Sequence, residues 1–597
     1  MKILFVCCML LSVCLFSQEN QDYNTNTAQL YFKNGDFEKA LISYKKLVEE
    51  SPTNTNYILA LVKTYQQLEQ FQEAELFLTQ TLNRIKHPSL FIELGYNYQL
   101  QDNLTKANEN YEIALASIDT NISYVYTVSK QFESHSLLDF AIRAYEKAMA
   151  LNSEADFTMQ LSRIYGEQGN IEKMFSSYID FIEHNPIYKD NIKRIFSDFL
   201  SEDPEYKNNS ILRKTILKKI QQNPDLIWNE LLSWLFSQQN EFNKAFAQEK
   251  AIYNRLPESL NRMEDLAALA TNEKDFETAT NIYNYIIETT QETDTKLRAH
   301  YNLLTFKTQL ATEKEYKTIQ SDYLNLFETY GTLSQTLELQ VAYGHFLAFN
   351  LHDIKTAEAF LKQTLKLKLK ETETAKVKLE LADILVLQEK FNEALIYYTQ
   401  IQRSLKNSTI SQEARFRVAR TSYYKGDFKW AESQLNILKQ STSQLIANDA
   451  LALKLLISDN KYEDSTQTAL KLYAKADLLA YQNKPTEAIT VLDTLLANHG
   501  AEPIAEQALY KQAKLFSTQH AYIKAEQNYL LLINNYTDGL LADDAYFNLA
   551  ELYNKQLNEP EKAKPLYEHI IFNFADSIYF VEARSQFRTL RGDAINQ

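Results

Sequence analysis

Gly35-Asp36-Phe37-Glu38-Lys39-Ala40-Leu41-Ile42-Ser43-Tyr44 is the stretch on which the fold turns. Its skeleton is a large apolar residue, a small residue three positions on, and an aromatic four beyond that. Spacings of three and four put all of these side chains on one face of a helix. The skeleton recurs as Phe71, Ala74, Leu78, then Leu104, Ala107, Tyr111, then Leu138, Ala141, Tyr145, then Ile171, Met174, Tyr178. The step is about 34 residues, which marks a stack of helix pairs, none able to bury its apolar face alone.

The helix before each of these stretches has a signature of its own. Leu94-Gly95-x-x-Tyr98, Leu161-Ser162-x-x-Tyr165 and Leu549-Ala550-x-x-Tyr553 each place a small residue between a large apolar one and an aromatic. The small residues on both helices let two antiparallel helices approach closely. The aromatic fills the gap to the next pair. Gly35, Gly169 and Gly426, followed by Asp36, Asn170 and Asp427, fall at the turn between helices, where a positive φ is expected. Pro52, Pro186 and Pro257 end second helices. Further pairs follow at Phe242/Ala245, Phe276/Ala279/Tyr283, Phe391/Ala394/Tyr398, Phe428/Ala431, Ala488/Leu492, Tyr522/Ala525/Tyr529 and Ala563/Tyr567. Tyr316/Ile319/Tyr323 and Ile354/Ala357/Leu361 fit less well.

These residues resemble the tetratricopeptide repeat (TPR) family over most of the chain. The resemblance implies an all-α fold, a right-handed superhelical solenoid of helix-turn-helix repeats. It also implies a concave face lined by the first helix of each pair, where extended or helical peptides bind. The last unit, Asp576-Ser577-x-Tyr579-x-x-Glu582-Ala583-Arg584, is similar to TPRs of bacterial envelope proteins, such as outer-membrane assembly lipoproteins and Tol–Pal coordinating proteins.

The N-terminus supports export. Lys2 precedes an apolar run from Ile3 to Phe16, too short for a membrane-spanning helix and followed by polar residues. Residues 1–17 read as a signal peptide, with cleavage expected after Ser17. A lipid anchor on Cys14 is disfavoured, because Val13 stands where a small residue is expected. Cys7, Cys8 and Cys14 are the only cysteines, so the processed chain has none for disulfides, thiol chemistry or metal. The expected organisation is an N-terminal array at 18–186, a degenerate repeat or bend at 187–225, a central array at 226–440, a register break at 441–467 and a C-terminal array at 468–597. The expected location is periplasmic or outer-membrane associated.

Composition narrows the function. Ten glycines and ten prolines in 597 residues leave little for loop-rich catalytic folds. A net charge of −15 argues against nucleic acid, whose binding depends on neutralising phosphates with Lys and Arg. Gly166 and Gly169 are the one close glycine pair, and neither precedes a Lys-Ser or Lys-Thr dipeptide, so no phosphate loop forms. The nine histidines are scattered. His345 and His352 are nearest, two helical turns apart, with no carboxylate at ligand spacing in the sequence. Arg591-Gly592-Asp593 spells an integrin-type tripeptide at the end of the last helix. The 38 tyrosines and 32 phenylalanines fall mostly on packing positions. No catalytic residue, metal site or cofactor is expected.

The binding expectation rests on the ninth position of each first helix, which in TPR proteins points into the groove. The N-terminal array places Lys63, Tyr96, Lys130 and Arg163 there, a cationic column on an acidic chain. Arg417, Arg420 and Tyr424 form a second basic and aromatic group. Both suit an acidic segment or a terminal carboxylate, which Arg grips with two planar donors. TPRs that clamp chaperone tails carry Asn at position nine, followed by Lys and Arg in the next repeat. The column departs from that pattern. The expected function is a non-catalytic protein-interaction scaffold of the bacterial cell envelope, with partner proteins or peptides and association with envelope membrane proteins. The alternatives are a structural subunit of an outer-membrane assembly, secretion or gliding complex, and an enzyme or carbohydrate-binding protein with an unrecognised site.

Overall fold

The computed structural model describes residues 24–438, 443–460 and 467–593. Residues 1–17, read above as a signal peptide and holding the three cysteines, and parts of the expected register break at 441–467 lie outside the described residues. Every regular element among the described residues is helical. The chain divides into two compact units, Met1–Pro257 and Glu258–Gln597. The division falls inside the stretch expected to be the central array.

In the first unit a helix at 24–33 pairs with Phe37–Glu50, and Thr55–Gln67 with Phe71–Leu82. Pro88–Gln99 pairs with Leu104–Thr120, Tyr124–Ser134 with Leu138–Leu151, and Thr158–Glu167 with Ile171–His184. The first register break is a short helix, Lys189–Ser197, before a longer one, Lys207–Gln222. Leu226–Gln238 and Phe242–Arg255 close the unit. Ala40, Ala74, Ala107 and Ala141 are buried where the helices of a pair meet. Gly95 shows how tight that contact is: a Cβ there would lie 2.5 Å from the Tyr111 ring and 2.9 Å from the Ala107 carbonyl.

The intra-pair turns share one backbone feature. Gly35, Gly169 and Gly426 have φ of 80°, 73° and 83°, as their position demands. Glu69, Asp102, Ser136, Asn240 and Lys274 adopt the same left-handed conformation at the equivalent turn, and so do His352, Glu389, Asn483, His520 and Asn558. These turns also correct the single repeat step. From Gly35 to Gly169 they recur every 33–34 residues, whereas His352, Glu389 and Gly426 are 37 apart. The added residues lengthen the first helices. Glu371–Leu387 and Thr409–Lys425 have 17 residues each, against 13 and 12 in Thr55–Gln67 and Pro88–Gln99. An insertion near 3.6 residues is one helical turn, so the same face stays inward.

The aromatic residues behave as packing. Tyr111, Tyr323, Tyr398, Tyr423, Tyr529 and Tyr567 are among the largest fully buried side chains. Tyr111 and Tyr567 reach back to polar groups on the preceding first helix: Tyr111 donates to Gln99 Oε1 at 2.8 Å and Tyr567 to Glu551 Oε1 at 2.5 Å. A buried phenol needs such an acceptor.

Candidate functional site

The ninth-position column lies on successive first helices of the first unit, and its four members have different surroundings. Lys63 and Lys130 are exposed, with no ion pair among the described residues. Tyr126, 65% exposed, sits one turn before Lys130 on the same helix. Arg163 is also exposed but already engaged: its guanidinium lies 2.6 Å from Glu133 and also pairs with Glu167. Tyr96 is half-buried and stacks on His135 with ring centroids 3.8 Å apart.

Beneath Tyr96 lies a polar cluster. Glu93 is 2% exposed. Its Oε1 lies 2.7 Å from His135 Nε2 and also accepts from the Gln131 amide, while its Oε2 accepts from Gln66 Nε2 at 3.4 Å. Three consecutive first helices are thereby tied through one carboxylate. The signal in the sequence was a single Glu inside the apolar run Ser89-Leu90-Phe91-Ile92-Glu93-Leu94. A lone acid in such a run must find donors when buried, but its partners are 27 to 42 residues away, beyond any local spacing.

Arg417, Arg420 and Tyr424 come together in the second unit, on the helix Thr409–Lys425. Arg417 pairs with buried Asp383 and, at 2.8 Å through Nε, with Glu413. Tyr398 donates its hydroxyl to the same Asp383. Burial, with Arg420 alongside, takes the Arg417 pKa down to about 10, so the group stays charged at neutral pH. Arg420 lies 3.9 Å from Asp383 and 5.1 Å from the Tyr481 ring centroid, and Tyr424 stacks on Tyr481 at 6.0 Å. Tyr481 ends the helix Thr468–Tyr481. The next residue, Gln482, donates to the Leu387 carbonyl at 3.0 Å, and Lys475 pairs with Glu389 at 2.9 Å. The chain's own helix thus covers the second cluster.

The structure adds a contact that local spacing does not show. His345 does have a carboxylate partner, Glu380 Oε1, 2.9 Å from its Nδ1. Glu380 comes from the next first helix, 35 residues on, so spacing could not show it. His352 occupies a turn, with φ of 56°. No group of three His, Cys, Asp or Glu side chains among the described residues is placed to hold a metal. No described helix is long and apolar enough to cross a membrane. Arg591 and Asp593 pair with each other around Gly592, whose φ of 80° ends the last helix.

Family models of the tetratricopeptide repeat match residues 22–54, 473–532 and 543–571. No curated protein matches the chain by sequence. Among solved structures, the chain aligns with one of Naa15/Naa10 bound to HypK-THB at 10% identity. That alignment covers 96% of this chain and 95% of the other, with a TM-score of 0.30. It also aligns with a chain of the APC/C hetero-tetramer Cut9–Hcn1 at 12% identity, over 96% of both chains, with a TM-score of 0.25. Similarity at this level transfers no residue role. The family matches, the buried small residues and the recurrent left-handed turns agree: each of the two units is a stack of helix pairs, and tetratricopeptide repeats occur in both.

Proposed function

We propose that the protein is a non-catalytic interaction scaffold of the bacterial cell envelope that holds an acidic segment of a partner protein along the first-helix face of its N-terminal unit. The observation that carries this is the pair of exposed lysines, Lys63 and Lys130, which have no ion pair among the described residues and lie on the first helices before and after the one that carries Tyr96. Exposed Tyr126 adds an amphipathic ring beside Lys130. A rigid row of cations and aromatic faces suits an extended acidic chain. Arg163 contributes less, because Glu133 and Glu167 already neutralise it. Arg417 and Arg420 act within the fold, since Asp383 and Glu413 engage their charge and Tyr481 covers them. The envelope setting rests on the reading of residues 1–17 as a signal peptide and on the likeness of the last repeat to envelope TPRs.

Affinity capture from solubilised envelope tests this. Lys63→Glu with Lys130→Glu is expected to lose a defined partner, and Arg163→Glu to weaken it less. An unchanged partner set in the double variant, with helicity intact, rules the column out. Cell fractionation tests the location, and cytoplasmic retention of the full chain would overturn it.

A further inference from the structure

In regular pairs the second helix places a small residue against the first: Ala40, Ala74, Ala107, Ala141, Ala279 and Ala394 are all buried there. Where Met174 takes that place, Gly166 opposes it, and a Cβ on Gly166 would lie 2.7 Å from the Met174 sulfur. The pair Thr293–Leu310 and Tyr316–Tyr330 breaks the rule. Ile319 stands at the small position, and Thr293–Leu310 contains no glycine to receive it. A branched side chain without a facing gap holds two helices apart. These two helices accordingly meet far less closely than other pair mates.

A cleft of about 410 Å³, the size of an ordinary ligand pocket, lies where these two helices face the next first helices, Leu337–His345 and Glu371–Leu387. Its lining includes Tyr301, Tyr316, Tyr323, Glu338, His345 and Glu380, and no Lys or Arg. Both lining carboxylates have tethers. His345 holds Glu380 at 2.9 Å and Lys376 holds Glu338; both tethering side chains are about half exposed. Exposed pairs of this kind are weak and readily exchanged. Past His345 the first helix ends in a π turn, Phe346–Asn350, which brings Asn350 to the cleft and within 3.4 Å of the Tyr316 hydroxyl.

We propose that this cleft is a second binding site, which takes a basic side chain, with the apolar residue beside it, from a partner protein. The carboxylates of Glu338 and Glu380 receive the cation, and the tyrosine rings around them supply cation–π faces and apolar walls. The incoming cation replaces Lys376 and His345 at the two carboxylates. The site is independent of the N-terminal column and opposite to it in charge preference.

The full chain is titrated with fluorescent acetyl-Gly-Lys-Leu-Lys-Gly-amide and with its Glu-for-Lys counterpart, at low salt. The basic peptide is expected to bind and the acidic one to fail. Glu338→Gln with Glu380→Gln should weaken the basic peptide at least tenfold, and Thr305→Trp, which fills the cleft, should abolish binding. His345→Ala, an exposed change that frees Glu380, should tighten binding several-fold. Lys63→Glu with Lys130→Glu should leave it unaltered, which separates this site from the N-terminal one. Equal affinity for both peptides, full affinity in the Thr305→Trp or double Gln variants, or no gain in His345→Ala would each overturn the proposal. The last readout decides the matter if the other variants fold poorly.

Discussion

Glu93 has three donors and almost no solvent, so its environment is set by protein groups alone. Removing a carboxylate from such a cluster leaves Gln66, Gln131 and His135 with unmet donors. Glu93→Ala is expected to destabilise the protein by about 2–3 kcal/mol, and Glu93→Gln, which keeps one acceptor, by less. Chemical denaturation of the full chain gives both values. The protonation of His300 also bears on stability. Burial, with Lys296 and Lys307 nearby, pushes its pKa down to about 4 from the usual 6.5. The unfolded chain therefore binds a proton between those values that the folded chain refuses. The contribution of His300 to stability is complete above pH 6.5 and is lost as the pH drops toward 4, roughly 1–2 kcal/mol after solvent screening. His300→Leu should flatten that part of the stability–pH curve.

At the scale of the helix, close approach is the controlling variable. A methyl on Gly95 would meet both a buried ring and a backbone carbonyl, and the carbonyl cannot rotate away. Gly95→Ala is expected to cost about 1–3 kcal/mol, read as a shift in denaturation midpoint. Ile319 shows the opposite solution, in which the two helices of a pair stay further apart. The longer first helices of the second unit keep their inward face because the insertion is close to one turn. The two π turns, Phe346–Asn350 and Leu552–Gln556, widen single turns at the ends of first helices.

At the scale of the whole chain, repeats contact mainly their neighbours, so stability accumulates locally. The two compact units meet this description separately. A chain ended at Pro257 is expected to remain helical by circular dichroism and to melt cooperatively. A fragment without a melting transition would show that the first unit depends on the second.

The sequence by itself determined the helix pairs, their small and aromatic packing positions and the glycine turns, because a period of 3.6 residues inside a fixed step is a local property. It also named the residues of the cationic column and of the Arg417 group. Only the tertiary structure decided which of those residues are available. Arg163 is neutralised by Glu133, 30 residues away, and Arg417 by Asp383, 34 residues away. Tyr481 reaches Arg420 and Tyr424 across a register break that no fixed period could bridge. The carboxylate of His345 and the cleft beside it belong to the same class. Charges and cavities are settled between repeats, by side chains that meet only once the solenoid has stacked.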